Sequence, residues 1–176
     1  MADTAAFEIL YQEYYPRVFA LCRFLLPSQH SAEDAAQETF ARAYQSFAQY
    51  TPGRPFWQWI SAIAHRHCVD QLRERGRWRP LEGDAQEVID RLQAPEPVNI
   101  DALIIREDQQ RLRGAIDQLP EKYRVPLVLA YLGNLSYDQI AQLLEITPNH
   151  VGVLLLRARQ QLRDHLKPTT AGGPVE

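Results

Sequence analysis

Residues 136–159 read SYDQIAQLLEITPNHVGVLLLRAR and predict two short amphipathic helices joined by a tight turn. Ser136 and Gln139 form a capping-box pattern, in which each side chain satisfies a backbone N–H group of the first helical turn. Thr147 is a suitable N-cap for the second helix, and Pro148 suits its first position because proline has no N–H group to leave unpaired. The pattern predicts a helix-turn-helix, a unit that normally inserts its second helix into the DNA major groove.

Apolar residues recur at helical spacing through most of the remaining chain, which predicts an all-α fold. Pro16 is expected to kink or divide the first helix. Ser31 and Asp34 predict a capping box at the start of a second helix that ends near Phe47. The Pro- and Gly-rich run QYTPGRP then ends this helix, and a third is expected over residues 56–75.

The helices group into two small domains joined by an acidic linker. We place the first domain at 1–78, the linker at 79–100, and the second domain, with the helix-turn-helix, at 101–167. Residues 81–110 carry eight acidic and two basic side chains, and several prolines weaken their helical periodicity. The last residues, 168–176, are expected to be a disordered tail.

Composition and motif content exclude several classes of protein. Two cysteines, Cys22 and Cys68, imply no disulfide framework, and no apolar run is long enough to span a membrane, so a cytoplasmic protein is expected. The loops and motifs of nucleotide-binding proteins, zinc proteases and serine hydrolases are absent, so we expect no catalytic residue, no cofactor and no small-molecule substrate. His65 can share a helix face with Cys68, but His67 points elsewhere, and we predict no metal site.

Several further motifs occur in a characteristic order along nearly the whole chain. They are AEDAAQETFARAYQSF, a Pro/Gly loop, FWQWISAIA with a basic helix end, a linker, LPEKYRVPLVLAYLGNLSYDQIAQLL, and RARQQL. Together they resemble a bacterial extracytoplasmic-function (ECF) sigma factor of the sigma-70 family. The resemblance implies a protein that binds core RNA polymerase and directs promoter-specific transcription initiation.

The same resemblance implies a division of work between the two domains. The first would bind the clamp helices of the polymerase beta-prime subunit and melt the minus-ten promoter element. The second would bind the beta flap and read the minus-thirty-five element of promoter DNA. An anti-sigma factor is a further partner that such proteins can have.

Three sets of candidate binding residues follow. The core polymerase-binding set is Asp34, Gln37 and Glu38. The minus-ten DNA-binding set is Tyr50, Thr51, Arg54, Arg66 and Arg73. The helix-turn-helix DNA-binding set is Asn149, His150, Arg157 and Arg159. Arginines neutralise phosphates and aromatic rings stack on unpaired bases, as a melted strand requires.

Charge pattern and spacing leave other roles open for some of these residues and their neighbours. The polymerase set also fits a solvated first helical turn, and Arg157 and Arg159 also fit a solvated helix end. Aromatic and aliphatic residues of the third helix recur at helical spacing and favour a place in the core over base stacking. These residues are Phe56, Trp59, Ile60 and Ile63.

The predicted recognition helix departs from the family pattern. Relatives show a sequence like GTVKSRLSRAR, whereas this chain has NHVGVLLLRAR, with Gly152, Val153 and Leu154 at positions expected to contact DNA. We therefore expect weak reading of the minus-thirty-five element. Val153, Leu154 and Leu156 are also expected to form an exposed apolar side. That side favours an alternative, a sigma-like adaptor or interaction protein whose second domain binds a protein instead of reading DNA.

Overall fold

A computed structural model of the chain describes residues 2–50, 53, 55–76 and 109–166. Within these ranges the secondary structure is wholly helical, with seven α-helices and one short 3₁₀-helix over Phe47–Gln49. The α-helices are α1 (Ala2–Leu25), α2 (Gln29–Gln45), α3 (Phe56–Glu74), α4 (Gln109–Asp117), α5 (Glu121–Tyr131), α6 (Tyr137–Leu144) and α7 (Pro148–Leu166). The all-α prediction is confirmed. The predicted linker and tail lie outside the described residues.

Helices α1, α2 and α3 pack against one another in the first half of the chain. The buried face of α2 is made largely of alanine, which lets the neighbouring helices approach closely. Its alanines are Ala32, Ala35, Ala36 and Ala43. Larger apolar side chains from α1 and α3, including Leu25, Ile60 and Leu72, fill the space between the helices and are fully buried. Phe56 and Ile60 lie in this core, and Trp59 and Ile63 pack against it.

The start of α2 differs from the prediction. The helix begins one turn earlier than expected, because Ser28 is its N-cap and accepts a hydrogen bond from the backbone N–H of Ser31 at 3.1 Å. Ser31 therefore lies inside the helix and is buried, so the predicted capping box of Ser31 and Asp34 is wrong. Serine is a good N-cap at either position, so local sequence does not decide between them. We attribute the choice of Ser28 to packing, because Ser31 is buried inside the helix.

Helix α1 continues through Pro16 without division. Proline removes one backbone hydrogen bond of the helix, but the turns that follow Pro16 are anchored in the core by Val18, Leu21 and Leu25. Burial of these side chains offsets the missing hydrogen bond. Pro16 therefore does not divide the first helix, and the alternative that it kinks the helix stays a prediction.

The helix-turn-helix consists of α6 and α7 and has the predicted caps. Ser136 accepts from the backbone N–H of Gln139 at 3.3 Å, and the Gln139 side chain accepts from the backbone N–H of Ser136 at 2.9 Å. Helix α7 begins at Pro148, and the hydroxyl oxygen of Thr147 accepts from the backbone N–H of His150 at 3.2 Å. Glu145 ends α6 in the left-handed conformation, with φ of 57°.

The two halves of the described chain contact each other. Helix α1 packs against α5, and α3 packs against α6. Helix α7 contacts α4, α5 and α6 within the second half. Among the described residues, no helix combines the length and the apolar character required to span a membrane.

Candidate nucleic-acid interface

The predicted polymerase-binding residues lie together on one face of α2. Asp34, Gln37 and Glu38 are three and four residues apart, a spacing that places side chains on the same side of a helix. All three are exposed, and the opposite face of α2 is buried. The structure therefore brings the whole predicted set to one accessible surface.

Two of these residues have side-chain neighbours on α2. The Arg42 guanidinium donates a hydrogen bond to Glu38 at 2.6 Å and lowers the pKa of that carboxyl. Asp34 lies 3.4 Å from the ring nitrogen of His30. Glu38 is therefore charged at neutral pH, and the face presents carboxylates to any partner.

An aromatic cluster stands beside the predicted minus-ten loop. Tyr50 stacks on Phe47 with ring centroids 5.9 Å apart, and its ring also lies 5.5 Å from that of Phe56 and 5.2 Å from that of Trp59. Tyr50 is half-buried in this cluster, so only part of its ring can face a base. Thr51 and Arg54 lie outside the described residues.

Arg66 and Arg73 share one face of α3, because they are seven residues, or two helical turns, apart. Arg66 is exposed. Arg73 is instead engaged by Asp70, Leu143 and Glu145, through contacts of 3.7, 2.6 and 3.2 Å respectively. The two arginines thus differ in their availability to a phosphate.

A further arginine contacts α3 on the side opposite Arg66 and was not predicted from the sequence. The guanidinium of Arg17, on α1, lies 3.8 Å from the ring centroid of Trp57 on α3. A cation over an aromatic face is a favourable arrangement. The two residues are far apart in sequence, so no local pattern predicts this pair.

The four predicted residues of the helix-turn-helix have different environments. Asn149 is exposed near the start of α7, and Arg157 is half-buried. His150 is only 7% exposed. Burial and the nearby charge of Arg157 lower the pKa of His150, so its ring is neutral at pH 7. An uncharged, buried imidazole has little surface to offer a phosphate.

The fourth residue, Arg159, is bound to a side chain of α5. Its Nε donates to the hydroxyl of Tyr131 at 2.8 Å, and Nη2 also donates to that hydroxyl. The guanidinium lies 5.6 Å from the centroid of the same ring. Arg159 therefore connects α7 to α5, a role that the sequence did not predict.

The expected exposed apolar side of α7 is not present. Val153 and Leu154 are buried, with Leu154 only 2% exposed, and Leu156 is half-buried. The prediction failed because it placed these residues by the register of the family, in which polar side chains occupy the same positions. Apolar side chains there are more stable out of water.

Two family matches cover most of the helical segments just described. Residues 10–78 match the family described as Sigma-70 region 2, and residues 109–162 match Sigma-70, region 4. The first match contains α2 and α3 with the polymerase and minus-ten sets. The second contains the helix-turn-helix.

Two curated relatives are similar along almost the whole chain. The ECF RNA polymerase sigma factor SigE of Mycolicibacterium smegmatis is 34% identical over 167 residues, which are 94% of this chain and 63% of the relative. The ECF RNA polymerase sigma factor SigW of Bacillus subtilis is 29% identical over 170 residues, 94% of this chain and 91% of the relative.

Two solved structures have a similar fold. The sigma factor RpoE of Bartonella quintana, in complex with the anti-sigma factor NepR, has a TM-score of 0.59 at 22% identity over 93% of this chain and 98% of its own. CnrH, in complex with the cytosolic domain of CnrY, has a TM-score of 0.51 at 21% identity. The match covers 93% of this chain and 88% of the CnrH chain.

Proposed function

The chain belongs to the sigma-70 family, within its extracytoplasmic-function group, and we propose that it binds core RNA polymerase and directs promoter-specific transcription initiation. The observation that carries the proposal is the presence of region 2 followed by region 4 in one chain. A helix-turn-helix alone would fit many regulators but would leave α1, α2 and α3 without a role. In this function the chain acts in the cytoplasm and catalyses no reaction itself.

We assign polymerase and minus-ten binding to residues 1–78 and minus-thirty-five binding to residues 101–167, with 79–100 as the linker. Asp34, Gln37 and Glu38 would contact the beta-prime clamp helices. Their shared, exposed and negatively charged face supports this role, because complementary charge steers association and fixes the orientation of a complex. The second half would bind the beta flap.

The minus-ten strand would lie along the loop from Tyr50 to Arg54 and the face of α3 that carries Arg66 and Arg73. Arginine phosphate contacts would supply affinity, and bases freed from the duplex would be recognised in the loop. The exposure of Arg66 and the two-turn spacing of the arginines support this path. Phosphate contacts position the strand, while base contacts provide the specificity.

The recognition helix would contribute less to promoter sequence specificity than the minus-ten surface does. Asn149 and Arg157 are its most accessible candidates, whereas His150 is buried and Arg159 is bound to Tyr131. A good bidentate base contact is worth about 1–3 kcal/mol of discrimination. With few donors available, specificity at the minus-thirty-five element would be low.

A second candidate function is a sigma-like adaptor that binds core polymerase without starting transcription. Val153 and Leu154 favour it only by reducing DNA contact, because they are buried at positions where DNA-contacting side chains were expected; they give α7 no exposed apolar side for a protein partner. An anti-sigma factor is a further proposed partner, since the similar RpoE structure contains one.

Run-off transcription with purified core polymerase tests the proposal. Core enzyme alone, core with the wild-type chain, and core with a chain carrying both Asp34→Lys and Glu38→Lys would transcribe the same pool of linear promoter fragments. We expect discrete products only with the wild-type chain. Core binding without any discrete product would support the adaptor, and absence of core binding would exclude both functions.

A further inference from the structure

The only two cysteines of the chain, Cys22 and Cys68, meet in the core of the first half. Cys22 lies near the end of α1 and Cys68 in the second half of α3, 46 residues apart in sequence. The Cys68 thiol donates a hydrogen bond to the Cys22 sulfur, and the two sulfur atoms are 3.6 Å apart. Both side chains are fully buried, and neither is in a disulfide. The packing of α1 against α3 therefore brings together every thiol of the chain.

The two sulfur atoms are close to the separation that a bond between them requires. Bonded sulfur atoms are about 2.0 Å apart, so the observed distance of 3.6 Å would have to shorten by about 1.6 Å. Rotation of a cysteine side chain between rotamers can move its sulfur by such a distance. A bond between α1 and α3 therefore needs little displacement of the two helices.

Two other roles explain this pair less well. A structural zinc site needs four ligands, and the described part of the chain contains no group of three or more side chains that could hold a metal ion. Buried cysteines can also serve simply as small apolar residues of a core. Packing alone gives no reason for the two thiols of the chain to face each other, whereas a pair that reacts together requires it.

Burial determines when the thiols can react. The hydrogen bond to Cys22 and burial together raise the pKa of Cys68, so this group is a thiol at neutral pH. Because the thiolate is the reactive form, the closed core should be oxidised slowly. Local opening of α1 from α3 would expose both sulfur atoms to water and to small oxidants. Repacking of the two helices would then return the sulfur atoms to contact.

We propose that Cys22 and Cys68 are the site of a reversible disulfide bond between α1 and α3, formed by a peroxide and reduced by a dithiol. One thiolate attacks a peroxide oxygen, so that an S–O bond forms, the O–O bond breaks, and a sulfenic acid and water result. The other thiol attacks the sulfenic sulfur, so that the S–S bond forms and the S–O bond breaks with release of a second water. Two thiols are thus oxidised while one peroxide is reduced to two waters.

This bond goes beyond the proposed function and does not depend on it. In a reducing compartment such disulfides are usually transient and are typical of redox-sensing proteins. The bond would fix the second half of α3, the helix that carries Arg66, to the end of α1. The chain would then record exposure to peroxide as a covalent link inside its first half.

The first test treats the reduced full-length chain with hydrogen peroxide at neutral pH. Thiols that remain free are counted by mass spectrometry after alkylation in denaturant, before and after treatment with dithiothreitol. We expect both thiols to be lost together in a monomeric product and to be restored by dithiothreitol. If both thiols stay free for as long as the urea-unfolded chain needs to be oxidised completely, or if they are lost only in covalent dimers, the proposal is wrong.

A matched control keeps two thiols but separates them. The chain with Cys22→Ala and Gln12→Cys carries an exposed cysteine on α1, ten residues or about 15 Å along the helix from the original position. We expect the wild-type chain to form an intramolecular bond at least about ten times faster, because its two thiols are held in contact. Equal rates would show that the bond arises from random encounter, which would overturn the proposal.

Urea unfolding of the wild-type chain tests whether the bond fits the folded core, and it requires no substitution. A bond compatible with the packing of α1 and α3 restricts the unfolded chain and should raise the urea concentration at the midpoint of unfolding. Circular dichroism of the oxidised chain should match that of the reduced chain. A lower midpoint, or a loss of helicity on oxidation, would mean that the two sulfur atoms bond only in a distorted chain, and would contradict the proposed site.

Discussion

The ring of His65 lies against Gly133 so closely that a Cβ atom on Gly133 would be 2.6 Å from the ring atoms Cε1 and Nε2. His65 belongs to α3 and Gly133 follows α5, so a glycine permits the close approach of the two halves. His65 is 1% exposed, and within the described part of the chain neither of its ring nitrogens has a hydrogen-bond partner. An imidazole in this position must be neutral, since a buried, unpaired charge is costly.

Acid should destabilise the fold through His65. Burial lowers the pKa of His65 from 6.5 to about 4, so the unfolded chain binds a proton more readily than the folded chain. The resulting stability is fully present above pH 6.5 and is lost as the pH falls toward 4, by about 3 kcal/mol in total. Urea unfolding at a series of pH values measures this loss.

The matched variants are His65→Gln, which removes the buried titration, and His30→Gln, which replaces an exposed histidine on α2. The free energy of unfolding of His65→Gln should fall less steeply between pH 6.5 and 4 than that of wild type and His30→Gln. Parallel curves for all three chains would show that the pKa of His65 is the same in the folded and the unfolded chain, which would contradict this prediction.

Charge reversal on α2 should abolish polymerase binding without unfolding the chain. Asp34→Lys combined with Glu38→Lys changes two exposed side chains and leaves the buried alanine face intact. We expect loss of association with core polymerase in a pull-down, with helicity and melting temperature nearly unchanged. Glu8→Lys combined with Glu13→Lys, on exposed positions of α1, provides the charge-matched control and should still bind. Unaltered core affinity of the α2 variant would exclude this face as the docking surface.

Arg66 should contribute affinity for the minus-ten strand without contributing specificity. In the holoenzyme, Arg66→Ala should weaken binding to all single-stranded sequences by a similar factor and reduce the slope of log K against log salt by about 0.7, as expected for one lost phosphate contact. Arg163→Ala, an exposed arginine of α7, is the control and should change neither. A selective loss for some sequences at an unchanged salt slope would instead place Arg66 against a base edge.

The apolar side chains of α7 should contribute stability according to their burial. Leu154→Ala removes a buried side chain and should lower the free energy of unfolding by about 2–4 kcal/mol. Leu156→Ala, two residues further on, removes a half-buried side chain and should have a clearly smaller effect. Chemical denaturation compares the two variants directly. Equal losses would mean that Leu154 is no better packed than Leu156.

Local sequence signals predicted the elements but not the contacts between distant elements. The caps of α6 and α7 followed from Ser136, Gln139 and Thr147, because a cap involves only neighbouring residues. The hydrogen bond from Arg73 to Leu143 spans 70 residues, and that from Arg159 to Tyr131 spans 28. Contacts of this kind depend on how whole helices pack, and they determine which predicted DNA-binding arginines are accessible.

Packing also explains the predictions that failed. Ser28 and Ser31 are chemically equivalent as N-caps, and only the packing of the α2 turn selects the first. Val153 and Leu154 were expected on an exposed side because of the family register. Helix α7 packs against three other helices, however, and burial of these apolar side chains in the contacts removes them from water, which is favourable. Tertiary burial decided both cases, and it has no signature in a short stretch of sequence.

The most direct test of the proposed function is selection of promoters from randomised templates. Core polymerase with the wild-type chain would transcribe a duplex library in which the minus-thirty-five and minus-ten elements are both randomised, and the transcribed templates would be sequenced. We predict strong base enrichment in the minus-ten element and little in the minus-thirty-five element, because only Asn149 and Arg157 of the four predicted contacts of the recognition helix stay accessible. Enrichment in neither element would contradict promoter-directed initiation, and enrichment centred on the minus-thirty-five element would contradict the role assigned to α7.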